Sequence, residues 1–183
     1  GERCMSFLQS QAVQSFDTAV DAWLERWRGN PVADAVFTAA SELGDFSLVW
    51  HLVGAARGLT SERRARQAVV FAALIGAESL LVNQGIKRLF RRSRPVHDGE
   101  RPHDLRKPTT SSFPSGHASA AACAAVLLTD RYPKGAPVWW TLAAGVATSR
   151  IHVRLHHASD VVGGAAVGVA LGLAARRLWP LPR

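Results

Sequence analysis

Three short clusters of chemically active side chains occur in a fixed order along this chain. The first is a lysine followed by an Arg-Pro pair, the second is the run Pro-Ser-Gly-His, and the third joins Ser-Arg to a later His and Asp. Their members are Lys87, Arg94, Pro95, Pro114, Ser115, Gly116, His117, Ser149, Arg150, His156 and Asp160. These cations, imidazoles and carboxylate are the groups needed to hold a phosphoryl group and to transfer it to nitrogen.

The basic members suit a phosphate-binding site. The guanidinium groups of Arg94 and Arg150 can each meet phosphoryl oxygens with two aligned hydrogen bonds, and Lys87 adds a compact charge. Ser115 and Gly116 precede a helix whose first amides have no intrahelical partners, so its backbone can donate to an anion. The hydroxyl of Ser115 is a further candidate donor.

The remaining members suit nucleophilic catalysis. His156 and Asp160 are four residues apart, which on a helix places them on one face, with the carboxylate accepting the Nδ1 hydrogen of the imidazole. Nε2 of His156 is then free to attack phosphorus. His117 is the candidate acid and base, which protonates the departing alkoxide and later activates water.

Each of these patterns alone is weak. A single His-x3-Asp pair is more often a contact on a helix surface than a nucleophile, and the joint occurrence of all three clusters carries the prediction. The neighbouring Arg88, Arg91 and Arg92 are interpreted as pocket-rim or headgroup contacts. The other histidines are interpreted as solvated or structural, with His157 the strongest candidate for a supporting role.

Apolar segments separate these clusters and all read as helices. They cover about 32 to 56, 67 to 86, 116 to 129, 136 to 151 and 160 to 178. Glycines recur at every fourth residue in the last segment, which favours close helix packing. In an alternating bundle, the clusters fall at helix ends on the same side. The predicted fold is therefore all-α, with the three clusters converging on one pocket.

Residues 1–30 are predicted to form a separate amphipathic helix, ahead of a single helix-bundle domain at 31–183. Its apolar side holds Phe16, Val20, Trp23, Leu24 and Trp27, while Asp17, Asp21 and Glu25 lie around the other side. Gly29 and Pro31 are predicted to end it. The tryptophans suit a membrane interface or packing on the bundle.

Composition narrows the partners. The net charge of +8 fits an anionic substrate or membrane surface. Nucleic acid is disfavoured because the basic residues lie between apolar stretches and no nucleic-acid-binding motif occurs. No cluster has a metal-ligand pattern, so neither a metal nor a cofactor is predicted. The segment lengths favour about five transmembrane helices, although the charged fraction of 20% leaves a soluble bundle open.

The three clusters resemble the signature motifs of the type 2 phosphatidic acid phosphatase superfamily, over roughly residues 68 to 172. That family joins lipid phosphate phosphatases, bacterial non-specific acid phosphatases and vanadium haloperoxidases. The resemblance implies a metal-independent phosphatase with His156 as nucleophile, Asp160 as its partner and His117 as acid and base. It implies phosphate binding by Lys87, Arg94 and Arg150.

We therefore expect a polytopic membrane phosphatase that removes the terminal phosphate from a lipid phosphate or diphosphate through a phosphohistidine. Polyprenyl diphosphate, phosphatidylglycerol phosphate and phosphatidic acid are the substrate types considered. By family analogy the site faces outward from a bacterial plasma membrane, with membrane lipids as partners and the oligomeric state open. The alternatives are a soluble acid phosphatase of the same family and a non-catalytic membrane protein that binds lipid phosphates.

Overall fold

The computed structural model describes residues 7–95 and 110–182. Within these residues the chain is helical and contains no strand, as the composition predicts. The α-helices are α1 Gln11–Glu25, α2 Pro31–Gly44, α3 Leu48–Gly58, α4 Glu62–Leu80, α5 Gly116–Arg131, α6 Ala136–His152 and α7 Ala158–Leu178. A π turn, Leu81–Gly85, and a 3-10 turn, Ile86–Leu89, extend α4 toward the first cluster.

Helix α5 forms the centre of the bundle. Every residue from Ala118 to Leu128 is buried, and alanines make up most of the run, so neighbouring helices approach its backbone closely. Its main partner is α7. A Cβ added at Gly168 would lie 2.0 Å from the carbonyl oxygen of Ser119, and one at Gly164 would lie 2.3 Å from that of Ser115. The glycine repeat therefore permits the predicted close approach.

The segment predicted as one helix over 32–56 is two helices. Phe46 and Ser47 both have positive φ, 51° and 59°, in the 3-10 turn Asp45–Ser47 that separates α2 from α3. This kink ends α2 beside the candidate site. Pro31 also differs from its predicted role, because it is the first residue of α2, where proline is well tolerated. Asn30 caps that helix through its side-chain oxygen.

The predicted N-terminal helix is present, but its packing face is different from the expected one. Asp17 and Leu24 are its buried residues, whereas Phe16, Trp23 and Trp27 are 44%, 52% and 50% exposed. The face that packs on the bundle thus combines Leu24 and the half-buried Val20 with Asp17, while the aromatic side chains face outward. The helix packs against α6 and α7, so it is in contact with the bundle domain predicted to begin at residue 31.

Candidate active site

The three clusters lie together at one end of the bundle. His117 is the second residue of α5, Arg150 lies in the last turn of α6, and Asp160 lies in the first turn of α7. The backbone N–H of Ser115 donates to the carbonyl of Asp160 at 2.9 Å, which joins the second and third clusters. Arg94 joins the first cluster to the third, because its Nη1 lies 3.1 Å from Nε2 of His156.

His156 lies in the loop between α6 and α7, not on a helix shared with Asp160. Its backbone N–H donates to the carbonyl of Arg150 at 3.0 Å, which fixes the loop against the end of α6. Helix α7 begins at Ala158, where Asp160 accepts from the backbone N–H of His157 at 2.9 Å. The four-residue spacing brings the pair together through this cap. The predicted single helical face is therefore wrong.

The contacts of His156 define its tautomer. An arginine is always a donor, so Nε2 of His156 accepts from Arg94 and the ring proton is on Nδ1. Nδ1 lies 3.6 Å from Oδ2 of Asp160 and has no hydrogen-bond partner among the described residues. This distance exceeds that of a hydrogen bond. Oδ2 would accept this proton after a small approach of the two groups.

Burial and positive charge keep the His156 imidazole neutral. The side chain is 2% exposed, and this desolvation is the main cause that lowers its pKa to about 3. The charges of Arg94 and Arg150 lower the pKa further, while Asp160 opposes them. A neutral imidazole with its lone pair on Nε2 is the form that a nucleophile requires.

Asp160 is fully buried, and Arg92 holds its second oxygen. Nη1 of Arg92 donates to Oδ1 of Asp160 at 2.6 Å. The interpretation of Arg92 as a rim residue is therefore wrong, because its side chain is only 13% exposed and reaches the carboxylate beside His156. In the sequence, the indication of this role was that Arg92 lies in the basic run before Arg94. Arg91 lies in the same run, so the sequence does not distinguish the two.

The loop that carries His156 is surrounded by the three predicted phosphate-binding cations. Lys87 and Arg150 are 6% and 2% exposed. Lys87 is close enough to Arg94 and Arg150 for their charges to interact. Arg150 donates to the hydroxyl of Ser41, while its Nε is buried with no hydrogen-bond partner in the described part of the chain. Such a cluster of like charges favours a bound anion.

Ser115 and Gly116 form the start of α5. The hydroxyl of Ser115 accepts from the amide of Ala118 as the helix cap, and its own amide is engaged by Asp160. Gly116 is required for close packing, since a Cβ there would lie 2.8 Å from Oδ1 of Asn83. The candidate backbone donors to an anion are therefore the next amides of the helix, beginning at Gly116.

His117 is held by two residues at the end of α2 and in the turn after it, both absent from the three clusters. Nε2 of His117 lies 2.8 Å from Oδ1 of Asp45, across 72 positions of sequence. A Cβ on Gly44 would lie 2.6 Å from Cδ2 of the same ring. The kink after α2 places both residues here. The sequence offered only a Gly-Asp pair inside an apolar segment, which gave no reason to connect it with His117.

Other histidines lie apart from this arrangement where the structure describes them. His152 is buried, pairs with Asp34 at 2.8 Å and stacks on Phe37, as expected of a structural residue. His97 and His103 lie outside the described residues. No group of three His, Cys, Asp or Glu side chains is placed to hold a metal ion in residues 7–95 and 110–182.

Comparisons with known proteins identify the family. A sequence profile of the PAP2 superfamily matches residues 67–181. The chain is 33% identical over 157 residues to the decaprenylphosphoryl-5-phosphoribose phosphatase of Mycolicibacterium smegmatis, covering 85% of this chain and 84% of that protein. It is 27% identical to phosphatidylglycerophosphatase B of Bacillus subtilis, covering 90% and 83% respectively.

The fold has a solved counterpart. The crystal structure of a transmembrane PAP2-type phosphatidylglycerolphosphate phosphatase from Bacillus subtilis superposes with a TM-score of 0.71 at 24% identity, covering 94% of this chain and 89% of that one. The profile match spans most of the chain and includes all three clusters. The resemblance predicted from those clusters is confirmed, and the chain belongs to the PAP2 superfamily.

Proposed function

We propose that this protein is a membrane lipid phosphatase that removes the terminal phosphate from a lipid phosphate or diphosphate through a phosphohistidine at His156. The observation that carries the proposal is that Arg94 lies 3.1 Å from Nε2 of the neutral His156, with Arg150 also close to the ring and Lys87 close to both arginines. The nearby carboxylates of Asp160 and Asp45 are already bonded to Arg92 and His117. A bound phosphate would place negative charge among these three cations.

In the first step, Nε2 of His156 attacks phosphorus and the bond from phosphorus to the lipid oxygen breaks. The phosphoryl oxygens replace Nε2 as the acceptor for Arg94, which frees the lone pair. The proton on Nδ1 is then shared with Asp160, which stabilises the positive ring. His117 in its protonated form donates to the departing oxygen, so the lipid leaves as an alcohol or as a lipid monophosphate.

In the second step, the deprotonated His117 takes a proton from water, whose oxygen attacks the phosphohistidine. The bond between phosphorus and Nε2 breaks, inorganic phosphate leaves, and His156 returns to its neutral form. The three cations stabilise the charge on the phosphoryl oxygens in both steps. No step requires a metal ion, because fixed guanidinium and ammonium groups supply the positive charge.

The names of the relatives support a lipid substrate. One acts on decaprenylphosphoryl-5-phosphoribose and another is a phosphatidylglycerophosphatase, so both handle a phosphate on a lipid carrier. We propose the same class of substrate for this chain. The non-catalytic alternative is disfavoured, since a protein that only binds phosphate does not need the arrangement of His156, Asp160 and His117.

The exposed surface supports membrane insertion over a soluble enzyme. Two helical stretches, Glu62–Leu89 and Ala158–Leu178, are long and apolar enough to cross a bilayer. Only 22% and 33% of their apolar windows are buried within the protein, whereas the core helix of a soluble protein is mostly buried. We propose that the shorter helices complete a bundle of about five spans, in an arrangement like that of the transmembrane neighbour.

We propose that the active site lies on the extracytoplasmic side of a bacterial plasma membrane. The site end of the bundle is itself rich in arginine, which binding of an anion requires. Helices α5 and α7 run from the site to the opposite end, where a cavity is lined by Arg63, Arg131, Arg176 and Arg177. Cytoplasmic ends of membrane helices are enriched in arginine and lysine. We propose that this cavity faces the cytoplasm.

Release of inorganic phosphate tests the proposal. Purified protein in detergent is offered decaprenyl phosphates, undecaprenyl diphosphate, phosphatidylglycerol phosphate and phosphatidic acid, each with a chelator present. We expect turnover of at least one lipid, unaffected by chelator and absent in His156→Ala. Turnover of soluble aryl phosphates alone would favour the acid phosphatase, and binding of lipid phosphates without release would favour the non-catalytic protein.

A further inference from the structure

We propose that Asp17 of the N-terminal helix is a positioning residue of the active site, which acts on Asp160 through Arg92. The inference rests on the proposed phosphatase function. It assigns a role to a helix that lies outside the residues matched by the family profile, 67–181. The three side chains form a continuous chain of ion pairs, Asp17 to Arg92 to Asp160, with a distance of 2.6 Å at each contact.

Asp17 is buried where an amphipathic helix would ordinarily place an apolar residue. Its side chain is 9% exposed. Oδ1 accepts from the backbone N–H of Ser159 at 2.7 Å, and Oδ2 accepts from the Ser159 hydroxyl at 2.9 Å. Ser159 is the residue before Asp160, so α1 is bonded directly to the first turn of α7. Burial of a carboxylate is costly unless it is fully paired, as it is here.

Arg92 is shared between the two carboxylates. Nη2 donates to Asp17, while Nη1 donates to Asp160 and to the hydroxyl of Ser159 at 2.7 Å. The guanidinium of Arg92 therefore fixes Oδ1 of Asp160. Oδ2 accepts from the backbone N–H of His157 at 2.9 Å and lies 3.6 Å from Nδ1 of His156. Because Arg92 is also paired with Asp17, it neutralises the carboxylate of Asp160 less. More of the negative charge of Asp160 can then stabilise the positive form of the His156 ring.

The position of Asp160 matters because the contact with His156 is not yet closed. Oδ2 is 3.6 Å from Nδ1, and a hydrogen bond needs it about 0.6 Å closer. Without Asp17, the buried guanidinium of Arg92 would pair with Asp160 alone. That stronger pair would draw the carboxylate away from His156 during the step in which the imidazole becomes positive.

A second set of contacts holds α1 in place. Arg28 donates to the backbone carbonyls of Ile151 and His152, both at 2.9 Å, and pairs with Asp21 at 2.6 Å. These bonds attach the turn after α1 to the C-terminal end of α6, just before the loop that carries His156. Asp21 provides a control on the same helix. It forms an ion pair of the same length, but its side chain is 51% exposed and the pair does not reach Asp160.

The test compares Asp17→Asn with Asp21→Asn. In Asp17→Asn, the side-chain NH2 group must face either the guanidinium of Arg92 or the backbone N–H of Ser159. Both of these groups are donors, so one hydrogen bond is lost in either orientation. We expect kcat to fall by about 10- to 100-fold, the range seen when the hydrogen-bond partners of metal-ligating histidines and carboxylates are removed. KM should change less than about twofold, because no phosphate-binding group is altered. Asp21→Asn should retain the wild-type kcat, and Asp17→Glu should recover part of the loss.

A double-mutant cycle separates positioning from general destabilisation. If Asp17 acts through Asp160, then Asp17→Asn should add little to the loss of kcat already present in Asp160→Asn. The inference would be overturned if the two losses of kcat multiply in the double variant, if kcat is unchanged in Asp17→Asn, or if Asp21→Asn shows an equal loss. In each case the phosphatase function would stand. A wild-type protein without phosphatase activity would instead overturn the proposed function, and this inference with it.

Discussion

Nη1 of Arg94 lies 3.1 Å from Nε2 of His156, the nitrogen that attacks phosphorus in the proposed mechanism. In the free enzyme Nη1 of Arg94 donates to the lone pair on Nε2 of His156. The same arginine nitrogen also donates to the carbonyl of Leu155 at 2.8 Å. The nucleophile is thus neutral and protected until a phosphate arrives to take the guanidinium as its own partner.

This arrangement predicts that His156 remains neutral under mildly acidic conditions. Burial and the charges of Arg94 and Arg150 lower its pKa to about 3, so protonation should begin only well below pH 5. Nitrogen NMR of histidine-labelled protein measures this directly, with His156→Gln used to assign the signal. We expect neutral-ring shifts with the proton on Nδ1 from pH 8 to pH 5. A midpoint near the ordinary histidine value of about 6.5 would contradict the account.

A second prediction concerns the packing between Gly44 and the ring of His117. An added Cβ would lie 2.6 Å from Cδ2 of His117 and 2.9 Å from Cγ1 of Val146, so Gly44→Ala should displace the imidazole. We expect phosphatase kcat to fall by about 100-fold, the scale of losing a general acid. Gly76→Ala is the control, since no atom lies within 4 Å of its added Cβ. Equal activity of the two variants would show that His117 is not constrained there.

The clusters themselves could be predicted from sequence because each carries its chemistry within a few residues. Residue type, order and the expectation that helix ends meet were enough to predict four site residues, Lys87, Arg94, His117 and Arg150. The loop position of His156 was missed, although Asp160 lies three residues after the cap residue His157, a spacing typical of a helix start. The capping pattern places His156 before the first turn of α7, which excludes a helical face shared with Asp160.

The supporting residues could not be predicted, because nothing local links them to the clusters. Asp17 lies 75 positions before Arg92, and the amphipathic pattern places it on the side expected to face water. Asp45 depends on the kink at Phe46 and Ser47, where neither residue is the glycine that positive φ ordinarily requires. Both contacts are set by how the helices pack together.

A third prediction tests the packing of α5 against α7. Gly168→Ala would place a methyl group 2.0 Å from the carbonyl oxygen of Ser119, so the two helices must separate. We expect destabilisation of about 1–3 kcal/mol, the ordinary cost of overpacking, seen as a lower Tm in detergent. Gly145→Ala is the matched control because its added Cβ meets no atom within 4 Å. Indistinguishable Tm values would mean that this contact is easily relieved.

A fourth prediction concerns the three cations. Vanadate adopts the five-coordinate geometry of phosphoryl transfer, so it should compete with substrate at Lys87, Arg94 and Arg150. Loss of charge-assisted hydrogen bonds in Arg150→Gln should weaken vanadate inhibition by about 10- to 100-fold. Arg88→Gln removes an arginine that bonds to Gln84 on the exposed surface, and its inhibition constant should not change. Parallel weakening in both variants would indicate a general effect of net charge.

The central claim is that phosphate passes through a covalent bond to His156, and rapid-quench labelling tests it most directly. In His117→Ala, an activated aryl phosphate should still phosphorylate His156, because a phenolate leaves with little help, while hydrolysis of the intermediate slows. With a ³²P-labelled aryl phosphate, we predict acid-labile, base-stable label on His117→Ala and none on His156→Ala. Turnover near the wild-type rate in His156→Ala, or label retained on that variant, would contradict the mechanism.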